Sequence, residues 1–262
     1  MAGDDTVFRL RGETSYSQAR RVGNLLFIAG TVSWDDDFAV IGEGDMRKQI
    51  ETVYKDIRRT LAHFGLDARA LVKETVYTLD MDALVDVNDV RMQAFAGELP
   101  PASTWIAIDR LANPKLLLEV EAVAVLPTEG EVANGMPAAF NLRKAEADFG
   151  YSQAVKAGSL LFISGVVSWD KDGAPVNPGN FAAQLTNVYE ELNETLVANG
   201  ADFSRVVKET IFTRDMPALV SAAPLRIAYY GDMPPPASTW IKVERLVHSD
   251  LLLEVEMIVE LP

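Results

Sequence analysis

Cysteine is absent from the 262 residues, which excludes disulfides, thiolate metal sites and a cysteine nucleophile. Positive charge is scarce, with 24 Lys and Arg against 38 Asp and Glu and a formal net charge of −14. A surface of that sign repels phosphate backbones and anionic headgroups, so neither nucleic acid nor a membrane is expected as a partner. No apolar run approaches the roughly 20 residues of a membrane span. The opening MAGDDTVFRL is acidic and lacks the apolar core of a secretion signal, and a cytoplasmic location is expected. Signatures of the GxGxxG, P-loop, HExxH and GxSxG kinds are also missing.

What is present is a chain that says nearly everything twice. Hydrophobic residues make up 48%, enough for a substantial core. YSQARRVGNLLFIAGTVSWD (16–35) returns as YSQAVKAGSLLFISGVVSWD (151–170), and LVKETVYTLDMDALV (71–85) as VVKETIFTRDMPALV (206–220). PPASTWIAID (100–109) returns as PPASTWIKVE (235–244), and LLLEVEAVAVLP (116–127) as LLLEVEMIVELP (251–262), always 135 positions on. A period this long marks a domain duplication rather than a solenoid. Two domains are expected, 1–127 and 141–262, joined by a linker over 128–140 that is rich in Gly, Ala and acidic residues.

Within each copy, strand and helix signals alternate. The aliphatic run LLFIAGTV (25–32) reads as a buried strand. Ile50, Val53, Ile57, Leu61 and Phe64 fall at helical spacing, with Gly65 placed for a C-cap. LVKETVYTL (71–79) is rich in β-branched and aromatic residues. Asp80 or Asp82 can cap a second helix with Leu84, Val87, Val90 and Phe95 on its apolar face. STWIAIDRL (103–111) and LLLEVEAVAVL (116–126) read as closing strands. With VFRLR (7–11) in front, each copy has the order ββαβαββ, an α+β layer of two helices on one face of a mostly antiparallel sheet.

YSQA with a following glycine, LLFIAG, VKETVYTLDM, PPAST and LLEVEAVAVLP, in this order, resemble the RidA/YjgF family across nearly the whole of both copies. The resemblance implies tandem chorismate-mutase-like ββαβαββ domains, hydrolysis of enamines and imines such as 2-aminoacrylate to the keto acid and ammonia, no metal or organic cofactor, and clefts walled by neighbouring subunits. It also implies threefold packing, so a homotrimer of six domains in two stacked rings is expected. Deaminating members carry Pro-Ala-Arg-Ser before the fourth strand, where the arginine clamps a substrate carboxylate. Counting back from Ser103 and Ser238, its place here falls to Ala102 and Ala237. Loss of that clamp in both copies places the chain with arginine-lacking members.

The remaining site residues are carried over position by position. Glu119 and Glu254 stand where the family has the carboxylate that handles water and the leaving nitrogen; read from the strand alone, Glu119 and Glu121 merely share one side. Tyr16 and Tyr151 would wall the cleft, and Gly30 and Gly165 would let backbone approach the ligand. The backbone N–H groups of Thr104 and Thr239 are expected to meet a substrate oxygen. Trp105 and Trp240, three residues past the expected clamp, suggest a flat substrate such as an aminomuconate-like product of aromatic amine breakdown, although tryptophan at a subunit interface reads equally well. Asn88 is expected to face the cleft, while its counterpart is Ala223. His63 and His248 lack histidine counterparts and receive no role. The alternative to an enzyme is a protein of the same fold that binds a small metabolite without turning it over. Ribonuclease activity, attached to some members, fits the acidic balance least.

Overall fold

The computed structural model describes residues 7–11, 15–95, 99–126 and 137–262. The first half runs β1 (Val7–Phe8), β2 (Ala19–Val22), β3 (Leu25–Thr31), α1 (Met46–His63), β4 (Leu71–Thr78), α2 (Met81–Asp86), α3 (Asn88–Ala94), β5 (Ala102–Ala107) and β6 (Leu118–Val125). The second runs β7 (Ala138–Phe140), α4 (Lys144–Phe149), β8 (Ala154–Ala157), β9 (Leu160–Val167), α5 (Phe181–Ala198), β10 (Val206–Thr213), α6 (Met216–Ala228), β11 (Ala237–Lys242) and β12 (Leu253–Glu260). Each half folds into its own six-stranded sheet, in the orders β1-β2-β3-β6-β4-β5 and β7-β8-β9-β12-β10-β11. Pairing is antiparallel except β4 with β5 and β10 with β11. The architecture is α+β, as expected.

Local chemistry accounts for the long helices. The Asp45 carboxylate accepts from Lys48 N–H at the start of α1, and Asn180 accepts from Ala183 N–H at the start of α5, each satisfying an orphan donor. Ile50, Val53, Ile57 and Leu61 are buried against the first sheet. Leu185, Val188, Leu192 and Leu196 do the same for the second.

Four details differ from the sequence reading, one being α4, a helix with no counterpart among the expected elements. A strand, β2, precedes β3; it was missed because only Ala19 of ARRV is buried, so the segment has no apolar alternation. The second helix of the first domain is two short helices meeting at Val87, with Asp80 capping α2, whereas α6 is continuous. Ala138–Phe140, the end of the expected linker, pairs with β8 as strand β7. Pro127 and linker residues 128–136 lie outside the described residues.

The two domains meet through β5, the edge of the first sheet, which packs against β9 of the second. Ser152 N–H donates to Pro101 O, Ala107 N–H to Arg245 O, and Glu244 N–H to Ala107 O. Thr104 Oγ1 donates to Glu256, which also pairs with Lys73 at 2.8 Å. Ala102, Val72 and Val125 from one side close on Val155 and Phe162 from the other. The equivalent edge β11 is largely exposed. One chain therefore closes one such seam and leaves the matching edge open.

Candidate active site

Strand alternation decides what β5 presents to the seam. Successive side chains point to opposite faces. Ala102 is fully buried in the apolar cluster with Val72 and Phe162, and Thr104 is held by Lys73 and Glu256. Ser103 and Trp105 face the other way and line a cleft between the two domains. This corrects the placement of the missing clamp: Ala102 does not reach the cleft, and the group standing where an arginine would act is Ser103. The Thr104 side chain serves the seam, and the N–H that reaches the neighbouring glutamate is that of Trp105.

The opposite wall comes from the second domain. Glu254, on β12, is 4% exposed. Burial pushes its carboxyl up to about 8, with Glu256 adding, while the Lys73 ammonium and the Trp105 N–H pull the other way. Its side chain lies across the Cα of Gly165 on β9. A Cβ at Gly165 would fall 1.7 Å from Glu254 Oε1, and the pairing repeats at 1.7 Å between Gly30 and Glu119. These glycines make room for a carboxylate rather than for a ligand. Tyr151 stands beside it, its hydroxyl held protonated by burial, with nearby Glu146 adding.

Aromatic and aliphatic groups complete the walls. Phe149 and Trp169 stack face to face, with centroids 5.8 Å apart and planes 6° from parallel. Val167 and Val247 line the floor and Val85 the rim. Among the described lining residues Arg91 carries the one guanidinium, and it is already committed. It is 1% exposed, donates to Glu74 through Nε at 2.6 Å and to Gly150 O at 2.5 Å, and lies 5.4 Å from the Trp105 ring centroid. Glu74 also accepts from Tyr54 and Ser103 hydroxyls, each at 2.8 Å. The second domain repeats this network around Glu209 with Arg226, Tyr189, Tyr230 and Ser238.

The model of the endoribonuclease L-PSP family matches residues 8–126 and again 142–261. The chain belongs to this family, the RidA/YjgF proteins. It is a tandem RidA/YjgF chain, each domain resembling single-domain relatives. A RutC family protein of Pyrococcus abyssi is 37% identical over 109 residues, covering 42% of this chain and 84% of that protein. Mouse 2-iminobutanoate/2-iminopropanoate deaminase is 39% identical over 74 residues, 28% of this chain and 55% of that protein. Chloroplastic Reactive Intermediate Deaminase A of Arabidopsis thaliana is 35% identical over 98 residues, 37% of this chain and 52% of that protein. In fold, a chorismatase superposes with a TM-score of 0.66 over 94% of this RidA/YjgF chain and 78% of its own, at 15% identity.

Of the expected site residues, Trp105, Tyr151, Gly165 and Glu254 come together in this cleft. Tyr16, Gly30 and Glu119 form a half-site on the first domain. The Glu119 carboxyl is raised by burial and by Glu121, and Tyr16 is raised by burial, with Arg11 lowering and Glu119 raising it. Ala237, Thr239 and Trp240 lie on the open edge β11, where Trp240 Nε1 donates to Ser238 Oγ at 3.0 Å. Asn88 faces the seam but spends its amide on Phe149 O at 2.9 Å. Ser103, Arg91, Phe149 and Trp169 were not foreseen as lining the cleft. Arg91 and Glu74 left one trace, since both recur 135 residues later as Arg226 and Glu209. No group of metal-ligating side chains occurs among the described residues, and no helix among them is long and apolar enough to cross a membrane.

Proposed function

We propose that the seam cleft hydrolyses the C=N bond of a small imine, or of the enamine in equilibrium with it. The observation carrying this reading is Glu254: a carboxyl buried at the cleft wall, seated on Gly165 and raised to about 8. At neutral pH it is a carboxylic acid and donates its proton to the imine nitrogen. The resulting carboxylate takes a proton from water as the oxygen attacks carbon, which gives a carbinolamine. The same carboxyl then protonates the amine, and as the C–N bond breaks the carbinolamine hydroxyl returns its proton to the Glu254 carboxylate, releasing ammonia and the carbonyl product. A group near pH 8 serves both directions because it lies close to the working pH. Tyr151, which lines the same cleft, is the donor to the developing oxygen in this reading. The names of the mouse and Arabidopsis relatives point to the same chemistry.

The finer expectation, an aminomuconate-like dicarboxylate, draws support from the tryptophans but meets a wall whose guanidinium is already neutralised by Glu74. The competing reading is a binding protein that keeps the cleft without turnover; the absence of a clamp on β5 favours it. The test is ammonia release from freshly generated 2-aminoacrylate and from neutral imines. Turnover that is lost in Glu254→Gln supports hydrolysis. Saturable binding without turnover of any imine supports the binder.

A further inference from the structure

We propose that the seam cleft selects a flat aryl imine without a carboxylate, held against the Phe149–Trp169 pair. The proposal rests on the hydrolytic reading above and adds its substrate class. Two aromatic faces already stacked at 5.8 Å and 6° form a preordered platform, and offset stacking is the geometry aromatic pairs favour. Phe149 is 45% exposed although it is a large apolar ring, so covering it with a ligand removes apolar area from water. Trp105 lines the same cleft from the first domain, backed by Arg91.

The platform is held from across the seam. Phe149 is the last residue of α4, and Gly150 follows with φ +81°, a left-handed turn that suits glycine. Asn88 bonds the Phe149 carbonyl and Arg91 the Gly150 carbonyl, so α3 of the first domain fixes the corner carrying the ring. The counterpart of Asn88 is Ala223, which cannot make this bond, so the brace belongs to this cleft and is not reproduced by the open edge.

Charge completes the argument. Arg91 is paired with Glu74, and the cleft offers an anionic substrate no uncommitted cation among its described lining residues. An imine conjugated to a ring, Ar–C(R)=NH, needs none. Its ring lies on the platform, its nitrogen meets the Glu254 carboxyl, and addition of water yields the aryl ketone and ammonia.

The experiment compares acetophenone imine with 2-iminopropanoate as substrates, and acetophenone with pyruvate as ligands by saturation-transfer NMR. The KM for acetophenone imine is expected to be at least about 10-fold lower than for 2-iminopropanoate, equivalent to about 1.4 kcal/mol. Phe149→Ala is expected to raise that KM about 10-fold with kcat changed less. Phe149→Leu, which keeps apolar bulk and loses the π face, is expected to do nearly the same while preserving the melting temperature. Acetophenone binding without turnover of any imine would overturn the hydrolytic reading and, with it, the assignment of an aryl imine as substrate. Preference for 2-iminopropanoate, or an aryl KM indifferent to both Phe149 changes, would overturn it while leaving hydrolysis standing.

Discussion

Burial on the glycine beneath it raises the Glu254 carboxyl, with Glu256 adding, while Lys73 across the seam and the N–H of Trp105 opposite pull it part of the way back. Gly165→Ala would place a methyl 1.7 Å from Oε1, so the carboxylate must move. Ammonia release is expected to fall at least about 10-fold, since misplacement of about 1 Å can cost far more. The raised pKa also has a stability consequence. A carboxyl moved from 4.5 to about 8 on folding contributes fully below pH 4.5 and loses that contribution as pH rises through 8. Glu254→Gln should therefore melt like the natural protein at pH 5 and about 5 °C higher at pH 9. Equal melting temperatures at pH 9 would mean that the carboxyl ionises freely in the fold.

At the scale of elements, β5 has two faces and both are used. One carries Ser103 and Trp105 into the cleft, and the other locks Thr104 into the Lys73–Glu256 pair. Burial raises Glu256, but the Lys73 ammonium and the donors from Lys73, Thr104 and Thr210 outweigh it and hold the carboxyl below its ordinary range. Lys73→Met strands that carboxylate and is expected to destabilise by about 3 kcal/mol, read from urea unfolding. It also removes the cation that lowers Glu254, so the alkaline limb of activity should move upward; an unmoved limb would separate the seam pair from the site. The long helices and the main strands were legible in the sequence because each has a periodic apolar pattern, and the duplication because whole segments recur 135 positions on. What faces the cleft was not. Ala102 and Ser103 differ by one position, and only the register of β5 against β4, with Glu74 opposite Ser103, shows which side chain points in. Phe149 was illegible for another reason: its role depends on α3 of the other domain, over 50 residues away in sequence.

For the whole molecule, the seam inside one chain leaves a matching edge open, and we propose that chains associate through it, head to tail; the homotrimer expected from the sequence is an assembly that sedimentation tests. Phe162 is 3% exposed within the seam, whereas its counterpart Phe27 is 47% exposed; burying such a ring is worth about 1.5–3 kcal/mol. Arg226 Nη2 pairs with Glu209 at 2.6 Å, and Arg91 pairs with Glu74 in the same way but also donates through Nη1 to Gly150 O across the seam. Joining β11 of one copy to the β3 face of another would also complete the Glu119 half-site. Sedimentation is expected to give a mass of several chains, reduced by Phe27→Lys, and a mass of one chain would contradict it.

The central claim is that Glu254 works as an acid at neutral pH. The most direct measurement is the pH dependence of kcat/KM for ammonia release from an imine, in the natural protein and in Glu254→Gln. The account predicts a plateau below about pH 8, a fall above it and a loss of at least about 100-fold in the variant. A rate that rises through pH 8, or that survives the substitution, would contradict it.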